Sequence, residues 1–214
     1  MKYKLIALDL DGTLVERGSS WVVMHRHFGL THEEDFKYYK MYHEGKIDAQ
    51  EWIDTIGKIW KERGNPTKKK IDEILRDYKF IEGVPETVAE LKRRGVKTAI
   101  VTWAIPILAE MVAEKLDVDY LYANTELIFD DHGNLERIRG KDEFRTSKPL
   151  YIEMICKKES ITPQEIIAVG DNIEDVKMFE KAGFAIAFRP KRPSVEKAAD
   201  VVVHDFKDIL KYVE

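Results

Sequence analysis

The stretch Leu5-Ile6-Ala7-Leu8-Asp9-Leu10-Asp11-Gly12-Thr13 constrains this chain more than any other. Four apolar residues run unbroken into an acid, a second acid follows two positions on, and Gly and Thr come next. A short uninterrupted apolar run reads as a strand buried on both faces, the kind found in parallel sheets. Asp9 then sits at the carboxyl end of that strand. Extended backbone just beyond it leaves Asp9 and Asp11 pointing the same way, because strand side chains alternate with period two. Open parallel sheets bind ligands outside the carboxyl ends of their strands. Two carboxylates there repel unless a cation or a shared proton relieves them. An ordinary Asp-Gly turn after an N-terminal strand explains the same letters, so other residues must carry the functional reading.

Along the chain, the pattern turns helical from about Ser19, with Trp21, Met24, His25 and Phe28 at helical spacing. Thr31-His-Glu-Glu34 has the form of a capping box. Asp48 caps a third helix whose stripe is Trp52, Ile53, Ile56, Ile59 and Trp60. Gly64-Asn65-Pro66-Thr67 ends it, and a fourth helix carries Ile71, Ile74, Leu75 and Tyr78. The spacing therefore predicts a helical insert over residues 16–80, with residues 1–15 and 81–214 forming a core of alternating strands and helices. A helix over 84–94, buried strands at 97–102, 120–123 and 166–169, a hairpin turning at Asp131–Asn134, and last strands at 184–187 and 201–203 complete an α/β parallel sheet. Ser147-Lys148-Pro149 predicts a helix start, with Pro in its favoured first position.

Reactive groups then fall at strand ends or helix starts: Asp9 and Asp11, Thr102, Lys148, and Asp171 with Asp175 one helical turn later. Parallel strands bring all of these to one edge. Several carboxylates call for a hard divalent cation, and Mg²⁺ suits a site with few carboxylates and several waters. A Lys, a Thr hydroxyl and free N–H groups at strand-to-helix turns call for an anion. Metal and anion together point to phosphate. Taken singly, Thr102 reads as a helix cap, Lys148 as a solvated charge and Asp175 as a surface acid; only a common edge makes them a site.

In this order and spacing, Asp9-Leu-Asp11-Gly-Thr13, Thr102, Lys148 and Gly170-Asp171-Asn-Ile-Glu-Asp175 resemble the four motifs of the haloacid dehalogenase superfamily of phosphatases. The helical insert resembles that superfamily's cap. Within the superfamily the chain is most similar to phosphoserine phosphatases, an impression that Glu44-Gly45-Lys46 and Met178-Phe179-Glu180-Lys181-Ala182-Gly183 strengthen. The resemblance implies a doubly wound sheet and an aspartyl-phosphate mechanism. Asp9 is then the nucleophile and Asp11 the general acid and base. Mg²⁺ is held by Asp9, the main-chain carbonyl of Asp11, and Asp171. Lys148 adds positive charge, Thr102 and the N–H of Trp103 hold phosphate oxygens, and Asn172 and Asp175 orient the metal's waters. In phosphoserine phosphatases a Glu after the first motif and a cap Arg grip the amino acid; the corresponding residues here are Gly18 and Ile56. Arg17, His25, Arg26 and Lys46 are the cations that could replace the Arg. The cap's aromatic residues form either its core or a wall facing the substrate.

Bulk composition sets the outer limits. The net charge of −4 favours neither nucleic acid nor an anionic membrane as partner. No apolar run approaches the roughly 20 residues of a membrane span, and no signal peptide precedes Leu5. The single cysteine, Cys156, reads as core and fits a reducing compartment, so a cytoplasmic enzyme acting on a small phosphorylated metabolite is expected. Charged residues reach 35% with both signs mixed, a hyperthermophile habit. The sequence is silent on oligomeric state. A phosphotransferase or phosphomutase on the same scaffold, and a receiver module phosphorylated on Asp, are the competing readings.

Overall fold

The structure, a computed structural model, describes residues 2–16 and 18–213, with residue 145 described for its backbone alone. Strand β1 (Leu5–Leu8) lies in the middle of a six-stranded sheet. Its neighbours are β2 (Lys97–Thr102) and β6 (Ile166–Gly170); β3 (Tyr120–Ala123) flanks β2, while β7 (Phe184–Phe188) and β8 (Val201–Val203) extend the other side. Every pairing in this sheet is parallel. The four residues of β1 are wholly buried and feed two different cores. Ile6 and Leu8 join one apolar cluster, and Leu5 and Ala7 join the cluster on the opposite face. Burial on both faces is what the unbroken apolar run implies.

Chain order reverses at β1, which is flanked by β2 on one side and β6 on the other. Such a switch point opens a crevice at the carboxyl ends of the strands. Register decides what faces it. Leu8 pairs with Ile100 and with Val169, so Asp9, Thr102 and Asp171 arrive at nearly one level.

Between β1 and β2 come α1 (Ser20–His27), α2 (His32–His43), α3 (Ala49–Gly64), α4 (Lys68–Leu75) and α5 (Val84–Arg93). Thr31 and Asp48 each close a reciprocal capping box, with Glu34 and Glu51 respectively. Of the expected stripe, helix α3 buries Ile53, Ile56, Ile59 and Trp60 and leaves Trp52 part-buried. It also docks on the antiparallel hairpin of β4 (Thr125–Phe129) and β5 (Leu135–Gly140). The Gln50 amide donates to the Ile138 carbonyl (3.0 Å) and accepts from the Gly140 N–H (2.9 Å). The hairpin is thus sewn to the helical insert although the two are some 90 residues apart in sequence.

Helices α6 (Pro106–Leu116), α7 (Phe144–Glu159), α8 (Val176–Lys181) and α9 (Pro193–Ala198) cover the sheet. Helix α7 differs from expectation: it starts at Phe144, so Pro149 lies inside it and Lys148 is its fifth residue. Phe144 is buried and packs on Trp103, Tyr42 and Trp52. That packing folds the preceding turn into the helix and overrides the local proline signal. Cys156 is buried in the same helix, as core. Among the described residues no helix is long and apolar enough to cross a membrane.

Candidate active site

At the carboxyl edge of β1 the backbone turns sharply at Gly12, whose φ of 90° belongs to the left-handed region. A Cβ there would stand 2.5 Å from Asp171 Oδ2 and 2.8 Å from Lys191 Nζ, so only glycine lets the first loop pass this close to the charged groups. Around the turn the sheet edge gathers Asp9, Thr102, Lys148, Asp171 and Asp175, all buried. Carboxylate oxygens of Asp9, Asp171 and Asp175 lie within 4.8 Å of one another. Residues spread over more than 160 positions therefore converge, as a site requires.

Lys148, brought in by α7, sits between two acids: its Nζ donates to Asp9 Oδ1 at 2.6 Å and to Asp175 Oδ1 at 2.5 Å. Burial opposes this ammonium, but Asp175 and Asp9 outweigh it and hold the pKa above the usual lysine value. Both oxygens of Asp175 are engaged, because Oδ2 accepts from the N–H groups of Asp171 (2.9 Å) and Asn172 (3.0 Å). Gly170 leaves space for this, since a Cβ there would strike the Asp175 carboxylate. Asp171 accepts from Thr13 Oγ1 and meets Lys191 Nζ at 2.5 Å.

Burial raises the pKa of Asp9 well above the carboxylate range, and Asp175 and Asp171 add to the effect against Lys148. It raises Asp171 likewise, with Lys191 opposing. Asp11 is pushed up to about 6, again by burial. Its Oδ2 accepts from the N–H and the hydroxyl of Ser20, both at 2.7 Å, while its Oδ1 is buried without a hydrogen-bond partner among the described residues. Four carboxylates, three of them buried and Asp11 part-buried, thus face the buried ammonium of Lys148 and the half-exposed one of Lys191. The uncompensated negative charge and hard oxygen donors fit a divalent cation.

Thr102 Oγ1 accepts from the Ala104 N–H (3.0 Å), which leaves its own O–H to donate into the cavity that the residue lines. The Trp103 indole donates to Ser147 Oγ (2.9 Å), and its carbonyl accepts from the Trp21 indole (2.7 Å). This last bond ties helix α1 to the carboxyl edge of the sheet.

The cavity, of about 290 Å³, runs from this edge to the insert. It separates the insert's aromatic residues. Trp60 and Phe28 are wholly buried, Phe36 is exposed, and Tyr38 packs part-buried on the core. Trp21, Tyr39, Tyr42 and Trp52 line the cavity. Of the candidate substrate-gripping cations, His25 lines the wall, Arg26 is exposed outside it, and Lys46 pairs with Glu44 on the surface. Arg17 lies outside the described residues. Ile56 lines the cavity and Gly18 is exposed.

Two residues at the edge escaped sequence reasoning. Ser20 had a weak signal, as a serine at a helix start soon after Asp11. Lys191 had none, because it lies in an irregular loop after β7 and only the fold carries that loop across to Asp171.

The family model for haloacid dehalogenase-like hydrolases matches residues 3–183. The chain is 33% identical over its full length to a phosphoserine phosphatase of Methanocaldococcus jannaschii, covering 99% of that protein. It is 27% identical to one of Wolinella succinogenes, with 98% of this chain and all of the other aligned. Among solved structures, a phospho-aspartyl intermediate analogue of phosphoserine phosphatase matches at TM-score 0.82 and 32% identity, with both chains fully covered. A substrate-bound phosphoserine phosphatase complex matches at TM-score 0.82 and 31% identity, again over both full chains. Fold, edge and relatives agree, and the chain belongs to the haloacid dehalogenase-like hydrolases.

Proposed function

We propose that this phosphoric monoester hydrolase cleaves a small phosphomonoester through an aspartyl-phosphate on Asp9, with Mg²⁺ as its metal. One observation carries the reading: Asp9 is clustered with Asp171 and Asp175 and bonded to Lys148 at the switch point of the sheet. Asp9 attacks phosphorus, and the bond to the alcohol oxygen breaks. Asp11 protonates that oxygen and then takes a proton from the water that releases phosphate. Its unpartnered Oδ1 and its pKa near 6 suit both roles. Lys148 offsets the negative charge of nucleophile and phosphate. The Thr102 hydroxyl and Trp103 N–H hold phosphate oxygens. Asp9, Asp171 and the Asp11 carbonyl would hold Mg²⁺, which would supply the charge neutralisation that an anion needs to approach a phosphate dianion.

Asp175 and Asn172 act through hydrogen bonds that fix this edge. The insert, residues 16–80, serves as the lid that keeps water from the reaction. A buried cysteine and a small cavity fit a cytoplasmic enzyme acting on a phosphorylated metabolite.

The test is phosphate release from a simple ester such as ethyl phosphate. Release is expected to stop with EDTA and return with Mg²⁺, and acid quenching during turnover is expected to trap phosphate on the protein. Turnover indifferent to chelation would remove the metal, and trapping undiminished in Asp9→Asn would remove Asp9. A single labelling event without sustained release would indicate a receiver module instead.

A further inference from the structure

The two ends of the cavity differ in kind, and the end away from phosphate bears on the leaving group. Among the described residues, the Lys and Arg side chains that line the cavity are Lys148 and Lys191, and both sit on carboxylates of the catalytic edge. The opposite end is built from rings. Tyr39, Tyr42 and Trp52 of the insert join Phe144 and Trp103 of the core in one continuous aromatic cluster: Tyr42 stacks on Trp52 at 5.2 Å between centroids, and Phe144 meets Trp103 edge-on at 5.3 Å.

Among the described residues, the Trp52 indole N–H at this end is buried without a hydrogen-bond partner, whereas the His25 ring is engaged. The Trp60 indole donates to His25 Nδ1 (3.2 Å), which fixes the proton of a neutral ring on Nε2, facing Asp35 at 3.3 Å. A carboxylate on the leaving group would find aromatic faces, one indole N–H and the Asp35 carboxylate there and, among the described lining residues, no Lys or Arg beyond the two already paired at the other end. A flat apolar group would exchange water for ring contacts, as small-ligand pockets do.

We propose that the alcohol half of the substrate is an uncharged, single-ring aromatic alcohol, so that the preferred substrate is an aryl or arylalkyl phosphomonoester. This deepens the phosphatase reading and rests on it. The cavity volume of about 290 Å³ admits one ring beyond the phosphate.

The test compares kcat/KM of the Mg²⁺-loaded enzyme for ethyl phosphate, 2-phenylethyl phosphate, phosphocholine and phosphoserine, which share the phosphate and differ beyond it. Burying one ring is expected to raise kcat/KM for the phenylethyl ester about thirtyfold over ethyl phosphate, with phosphoserine no better than ethyl phosphate. Trp52→Leu and, independently, the part-exposed Tyr39→Leu are each expected to shrink the phenylethyl-to-ethyl ratio at least fivefold. A phosphoserine or phosphocholine value above the phenylethyl value overturns the proposal, as does a phenylethyl-to-ethyl ratio near one or one that neither variant changes. In those cases the hydrolase stands, since ethyl phosphate is still turned over. Failure to hydrolyse any of the four esters sinks the phosphatase reading and this proposal with it.

Discussion

The catalytic edge and the insert wall enclose the same cavity but follow opposite rules. At the edge, the side chains of Asp9, Lys148, Asp171 and Asp175 are buried, Lys148 bridges Asp9 and Asp175, and Asp171 pairs with Lys191, with strand register setting their level. Across from them, Trp21, Tyr39 and Trp52 are half-buried rings held by helix packing and by a hydrogen bond from the Trp21 indole to the Trp103 carbonyl. The edge is over-determined, since moving one member leaves a buried charge without its partner. The wall can exchange one ring for another at modest cost. The contrast shows how one chemistry can serve different substrates: the unforgiving part sits on the sheet, and the adaptable part sits on the inserted helices.

The sharpest way to break this contrast is Asp9→Asn. Turnover should fall by roughly 10⁴-fold or more, while Tm should not fall. The neutral amide replaces a carboxyl that burial and neighbouring acids already disfavour as an anion. Steady-state assays and thermal melts check the two halves, and a melt well below wild type would show Asp9 to be structural. Lys148→Met should hurt both ways, because Asp9 and Asp175 would be left buried without their counter-ion. The expected cost is about 3–5 kcal/mol, or roughly 10 °C in Tm, with activity lost. A melt within a degree of wild type would mean that the network is worth far less than its geometry suggests.

A titration sharpens the comparison further. In the metal-free protein Asp11 titrates at about 6, against about 3.9 unfolded. Between those values the folded state keeps a proton that the unfolded state has released. Stability is therefore greatest below about 4 and declines as pH rises through about 6, by up to about 3 kcal/mol from this group. Asp9 and Asp171, raised in the same direction, add to the decline. Denaturant melts across this range should show it, and Mg²⁺ should flatten it. A metal-free protein that gains stability over the same window would contradict the burial of these acids. The smallest effect belongs to the latch: Trp21→Phe keeps the ring and deletes the bond to the Trp103 carbonyl, costing about 1 kcal/mol. A double-mutant comparison is unnecessary, because the acceptor is main chain; the melt alone reads the loss.

Much of this arrangement was legible in the chain itself. The apolar run before Asp9 marked a doubly buried strand, Thr31 marked its helix through a capping box and Asp48 marked the next as a cap, and both caps form. These signals are local: burial on both faces leaves no polar positions in a strand, and caps satisfy donors within three residues. Helix α7 was misplaced because its start depends on Phe144 meeting Trp103, Tyr42 and Trp52, which lie elsewhere in the chain. Lys191 was invisible for the same reason. The aromatic residues of the insert could be counted but not sorted, because the difference between Trp60 in the core and Trp52 on the cavity arises only when α3 packs against the hairpin and its neighbours.

By its own order of residues the chain settled the strand-and-helix alternation and the acids at the strand ends, since both rest on periodicities of 2.0 and 3.6 that neighbours along the chain enforce. Only the tertiary structure decided which of those acids share a proton-poor, oxygen-rich pocket, how Lys148 divides itself between two of them, and which rings face the void. Those outcomes depend on distances between residues far apart in the chain, fixed by sheet register and packing, which no local pattern encodes.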